Sequence, residues 1–150
     1  MADAPQPNWL DTTPDERTMA TLAHALQIIG SWIAPLIIFL IRRQSRFVSF
    51  HALQALLLQI LHLILIVIFM AGFFITMFVY LAPHATERQE FPWPLAMLFI
   101  FFWLGFATLS IGTLVIAIVY SIKAGRGEWA DYPLLGKLAR KMLKMEPKAT

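Results

Sequence analysis

Residues 47–81, FVSFHALQALLLQILHLILIVIFMAGFFITMFVYL, decide the fold. The stretch is 35 residues long and holds no proline and no Asp, Glu, Lys or Arg. As a helix it reaches about 52 Å at ~1.5 Å per residue. That exceeds the ~30 Å hydrocarbon core of a bilayer and is too short for two spans and a turn. The pattern predicts one long helix, tilted or with its first turns at the interface.

Upstream, Arg42, Arg43 and Arg46 close off another uncharged run at 19–41, 23 residues that predict a first span. Pro35 lies inside this run and predicts a kink. The run is preceded by Thr13-Pro14-Asp15-Glu16. Thr13 suits the N-cap, Pro14 the first helical position, and Glu16 completes a capping box. Downstream, Pro83, Pro92 and Pro94 bracket a loop with His84, Glu87, Arg88 and Glu90, and Trp93 suits an interface. A third uncharged span follows at 95–119, with Tyr120 and Lys123 marking its exit.

Beyond Gly125 and Gly127 the character changes. Leu135, Leu138, Met142 and Met145 share one helical face, and Lys137, Arg140, Lys141 and Lys144 occupy the other. The expected fold is therefore an all-α integral membrane protein. It has three transmembrane helices, the second unusually long, plus a short basic amphipathic C-terminal helix. The expected organisation is an irregular tail at 1–12, a transmembrane domain at 13–122 and a cytoplasmic tail at 123–150.

Composition agrees. Hydrophobic residues make up 59% of the 150 and charged residues 14%, too little charge to cover a soluble domain of this size. There is no cysteine, which excludes disulfides, thiolate catalysis and Cys-based metal sites. No secretory signal precedes the first apolar run. Positive charge marks the cytoplasmic side. Residues 42–46 carry three arginines and no acid, and the tail beyond 123 is also basic. The N-terminal tail and the 82–94 loop carry one arginine each. Three spans place the two basic segments together, with the N-terminus outside and the C-terminus in the cytoplasm.

Polar residues inside spans are costly, which makes them candidates for function. Thr21, His24, Gln27 and Ser31 share a sector of the first helix, and His51, Gln54, Gln59 and His62 share one of the second. Facing each other on antiparallel helices, they would form a polar ladder. It could line a hydrophilic path, bind helices together by hydrogen bonds, or, at His51 and Gln54, meet headgroups. Packing needs the fewest assumptions. A single histidine could ligate haem or a chlorin, but His51 and His62 lie about 16 Å apart along a helix and do not share one metal. A lone histidine is more often a hydrogen-bonded structural group, so no cofactor is expected.

Gly105, Thr108 and Gly112 share a face of the third span and predict close packing, within the chain or between subunits. Arg42, Arg43, Arg46, Lys137, Arg140, Lys141 and Lys144 are expected at lipid headgroups. Docking of a partner protein by the basic tail is the alternative, and nucleic acid is not an expected partner. No metal-ligand pair, nucleophile elbow or phosphate loop is present, and no acid lies in the spans. An enzyme is not expected.

Several motifs point to a family. Glu16, Ala20, Leu22, Ala23 and His24 resemble the start of small bacterial membrane proteins related to the chloroplast Tic translocon channel, its twenty-kilodalton component. Pro35-Leu36-Ile37-Ile38, Arg46 to Ala55 with Phe50-His51-Ala52-Leu53-Gln54-Ala55, Ala124-Gly125 and Tyr132-Pro133-Leu134-Leu135-Gly136 extend the resemblance over nearly half the chain. It implies an all-helical membrane fold. For the chloroplast branch it implies protein import, and for the bacterial branch no established activity. The chloroplast pattern has four spans where this sequence predicts three. On this reading the protein lies in a bacterial inner membrane and acts in transport, protein insertion or complex assembly. The alternative is a structural accessory subunit of a larger complex, with or without a pigment. Either way, association with itself or with other membrane subunits is expected.

Overall fold

A computed structural model describes residues 12–30, 32–84 and 93–145. These form six helices: α1 (Pro14–Ala25), α2 (Gln27–Gly30), α3 (Ile33–Ile41), α4 (Arg46–His84), α5 (Trp93–Gly125) and α6 (Leu135–Met142). No strand occurs among the described residues. Ser31 and the tail before Thr12 lie outside them.

α1 starts as its sequence dictates. Glu16 N–H donates to Thr13 Oγ1 at 3.2 Å, Thr13 N–H donates to Glu16 Oε2 at 2.9 Å, and Pro14 occupies the first turn. The helix does not run on to Ile41. It stops at Leu26, whose N–H donates to Leu22 O, and α3 begins only at Ile33. Pro35 is the third residue of α3, within the first turn, where a missing N–H costs nothing. In a helix interior a proline ring clashes with the carbonyl four residues earlier, so a helix continuous through Pro35 is disfavoured and the break falls upstream.

This break corrects the expected span count. Two helices, α4 and α5, are long and apolar enough to cross a membrane. The nine residues of α3 rise only about 14 Å. The segment folds back on itself, with α1 packed on α3. Asp15 pairs with Arg42 at 3.1 Å, and Ser45 Oγ donates to Glu16 Oε1 at 2.7 Å. The start of α1 and the turn after α3, expected on opposite faces of a bilayer, therefore meet.

α4 is the single long helix that 47–81 predicts. Its buried positions concentrate at 47–59, while 60–82 is largely exposed. The contacts divide the chain accordingly into two units, one built from residues up to Ile60 and from Leu114 onward, the other from Leu61–Thr113.

The second unit is an antiparallel pair. His62 meets Thr113, Phe69 stacks on Phe102, and Phe73 lies by Phe99, so one number rises as the other falls. Gly105 permits the close approach, since a Cβ there would lie 2.7 Å from Phe69 Cζ. A Cβ on Gly112 would meet nothing within 4 Å. Thr108 Oγ1 donates to its own helix at Leu104 O. Of the three small residues expected to pack, Gly105 does so inside the chain.

The first unit holds the core. Phe50 and Leu53 of α4 pack with Ala139 of α6, and Ala20, Phe47 and Ala124 form a second cluster, with Trp129 against both. The backbone reverses after α5 at Gly127, whose φ of 78° suits glycine. Asp131 accepts two bonds from Arg140, at 2.7 and 3.1 Å, and the guanidinium lies 4.5 Å over Phe50. The described part of the tail, 123–145, is thus built into the same unit as α1.

Candidate functional site: a buried polar clamp

Residues 128–132 lie outside any helix or strand, with Glu128 N–H donating to Lys123 O and Ala130 N–H to Glu128 O. Buried backbone groups need partners, and irregular backbone at membrane depth is tolerated only inside protein or beside water. Polar side chains from the helices supply those partners. Gln54 Oε1 accepts from Tyr132 N–H at 2.6 Å, and Gln54 Nε2 donates to Ala130 O at 3.2 Å. Tyr120 Oη donates to Asp131 O at 2.7 Å. His51 Nε2 stands 3.1 Å from Glu128 O.

That last contact orders a chain of bonds. A carbonyl only accepts, so His51 Nε2 carries the proton and its Nδ1, in a neutral ring, accepts. His24 Nε2 lies 3.0 Å from His51 Nδ1 and must donate to it, which leaves His24 Nδ1 as acceptor. Tyr132 Oη, 2.8 Å away, donates there. The chain runs one way, from Tyr132 through His24 and His51 to Glu128 O. It ends on a carbonyl, which takes up no proton at neutral pH. All four ring nitrogens are engaged by the protein. Burial raises the Tyr132 phenol above its ordinary value, and the adjacent Tyr120 adds to this.

The helix break is served in the same way. Gln59 Nε2 donates to Gln27 O at 3.4 Å. Gln27 is 2% exposed, and its side chain lies beside the Tyr132 hydroxyl. Thr21 Oγ1 donates to Arg17 O at 2.7 Å and lies 3.4 Å from Ser121 O, while Ser121 Oγ donates to Thr21 O at 3.3 Å. Near the water-facing start of α1, Glu16 is held below the usual carboxylate range, first by the Ser45 hydroxyl and then by Thr13 N–H.

Thr21, His24 and Gln27 are thus placed with His51, Gln54 and Gln59, as the two stripes suggest, but in another register. The pairs Glu16–Ser45, His24–His51 and Gln27–Gln59 advance together, so α1 and the start of α4 run parallel, where antiparallel spans were expected. His62 belongs to the second unit, where its Nδ1 lies 2.8 Å from Thr113 Oγ1. Arg42 pairs with Asp15, Arg43 sits over Phe39, and Arg46 is exposed. Lys137, Lys141 and Lys144 are exposed, whereas Arg140 turns inward to Asp131. Tyr120, read only as the end of a span, and Tyr132 are the clamp residues that sequence reasoning missed. A tyrosine just before a proline, beyond the last apolar run, is the signal Tyr132 left.

The profile of one family matches residues 15–139, a span that contains every residue of the clamp. The chain belongs to the magnetosome magnetite crystal formation protein family, MamF/MmsF. Comparison with curated proteins and with solved structures returns no match. Membership corrects the Tic-like resemblance, and the import and transport roles drawn from it fall with it. The motifs that carried that resemblance include His51, Gln54 and Tyr132, which form the clamp. Such residues report how a backbone is fastened, and a packing device does not specify a function. With α4 and α5, MamF/MmsF membership makes this a membrane protein.

Proposed function

We propose that this MamF/MmsF protein acts in the magnetosome membrane as a non-catalytic accessory subunit in magnetite crystal formation, with no cofactor of its own. The observation that carries the role in crystal formation is the family match over residues 15–139, and the clamp supports the non-catalytic part of the reading. Its histidines, Gln54 and tyrosines are engaged with one another and with the backbone of 128–132, a use that fastens the fold and supports a structural reading. Among the described residues ten Lys/Arg face four Asp/Glu, all of them in the first unit. The positive-inside rule favours the cytoplasm for that unit, and with it for both the start of α1 and the end of α5.

The test is removal of the protein from a magnetite-forming cell, with crystal size and shape measured by electron microscopy. The reading expects altered crystals, restored by the wild-type chain and poorly by His24→Phe. Unchanged crystals would refute the role. Substrate turnover or ion flux by the purified protein in vesicles would refute its non-catalytic character.

A further inference from the structure

The folded-back segment α1–α3 turns apolar side chains outward. Ile29 is 88% exposed, and Ile28, Ile33 and Ile37 are also exposed, while Gln27 and His24 face inward. Both ends of the segment carry charge and meet at the Asp15–Arg42 pair. A segment whose charged ends lie together enters and leaves a bilayer on one side. Its return limb, α3, rises about 14 Å, less than the ~15 Å depth of one leaflet.

α6 presents a second apolar surface. Its inner face packs through Ala139 and Arg140 onto Phe50. Its outer face shows Leu134, Leu138 and Met142, one turn apart and all exposed among the described residues. Lys137, Lys141 and Lys144 run alongside, all exposed. Apolar residues beside a row of lysines fit the interface of an anionic leaflet.

We propose that α1–α3 and the outer face of α6 form one lipid-binding surface for a single anionic leaflet, which adds area to that leaflet alone and favours its convex curvature. The second contact is electrostatic and apolar together, and the first is apolar. The surface stands apart from any role in crystal formation.

The chain has no cysteine, so single labels are readily placed. Full-length Ile29→Cys, Leu138→Cys and Arg126→Cys, each carrying an environment-sensitive dye, are reconstituted into phosphatidylcholine vesicles with and without phosphatidylglycerol. The Ile29 label is quenched by bromines high on the acyl chains of the leaflet beside the Arg126 label. The Leu138 label becomes shielded from aqueous cobalt when phosphatidylglycerol is present. Converting Lys137, Lys141 and Lys144 to Gln weakens the binding that gives that shielding, by about fivefold for each lysine removed. The fraction of chains with Arg126 outward rises as vesicle radius falls.

An Ile29 label open to cobalt, or deep in the opposite leaflet, overturns the one-leaflet surface. Shielding of Leu138 that follows protein density instead of anionic lipid assigns the α6 face to a second copy and also overturns it. An outward fraction that ignores radius overturns the curvature preference.

Discussion

Replacing Gln54 by Leu isolates what the clamp contributes. The amide is fully buried, and leucine keeps its approximate bulk while offering neither hydrogen bond. Two backbone groups lose their partners, Tyr132 N–H at 2.6 Å and Ala130 O at 3.2 Å. A buried polar group left unsatisfied costs about 1–3 kcal/mol, so the pair costs about 2–6 kcal/mol. The Ala130 contact is only partly buried, which places the expectation in the lower half of that range. Segment 128–132 pays this penalty only while docked, because on release its backbone finds water. Local opening therefore rises, by roughly 30-fold to a few hundredfold for 2–3.5 kcal/mol. Amide hydrogen exchange at Tyr132 reads that equilibrium directly, with amides of α4 on either side of residue 54 as internal controls. Protection at Tyr132 should fall by that factor while the α4 amides keep theirs. Unchanged exchange at Tyr132 would refute the claim that side chains, and Gln54 above all, hold the irregular backbone in place.

Two further predictions concern other parts of the molecule. Gly105→Ala should lower thermal stability by about 1–3 kcal/mol as the Phe69 ring is displaced, whereas Gly112→Ala, mid-helix with nothing within 4 Å of its new Cβ, should raise it by up to about 1 kcal/mol; equal effects would remove the contrast. The Tyr132 phenol is raised above its ordinary value of 10.0 by burial, so the folded state favours the protonated form: docking is at full strength below pH 10 and weakens as pH rises past it. Trp129 emission should report that loss on titration, and Tyr132→Phe should lessen the slope, leaving the part due to the Tyr120 phenol, which donates to Asp131 O.

The legible parts of this fold are those set by neighbours in sequence. The capping box at Thr13–Glu16 needs only four residues, and the long α4 needs only an unbroken apolar run. The first span misled because hydropathy weighs Ile28, Ile29 and Trp32 as it would any buried triplet. Whether Pro35 kinks a helix or begins a new one depends on what packs against it. Charge counting placed Asp15 and Arg42 across a bilayer, since a count carries no distances. The polar stripes named six of the residues that come together, Thr21, His24, Gln27, His51, Gln54 and Gln59. Their partners lie up to 108 positions away, and no local pattern records them. Tyr132 was visible as part of a motif, but its hydroxyl has meaning only beside His24.

The distance along the chain between His24 and Tyr132 has a consequence for synthesis. The N-terminal half of the clamp is made first and waits for 108 residues to follow. At ~5–20 residues per second that interval is roughly 5–20 s. His51 and Gln54 join His24 partway, and until residues 128–132 follow, all three lack their partners in that segment, open to whatever insertion machinery or water is at hand. The first unit is therefore completed only after α5 has been made, and a nascent chain halted before Tyr132 exposes the very groups by which quality control could recognise it.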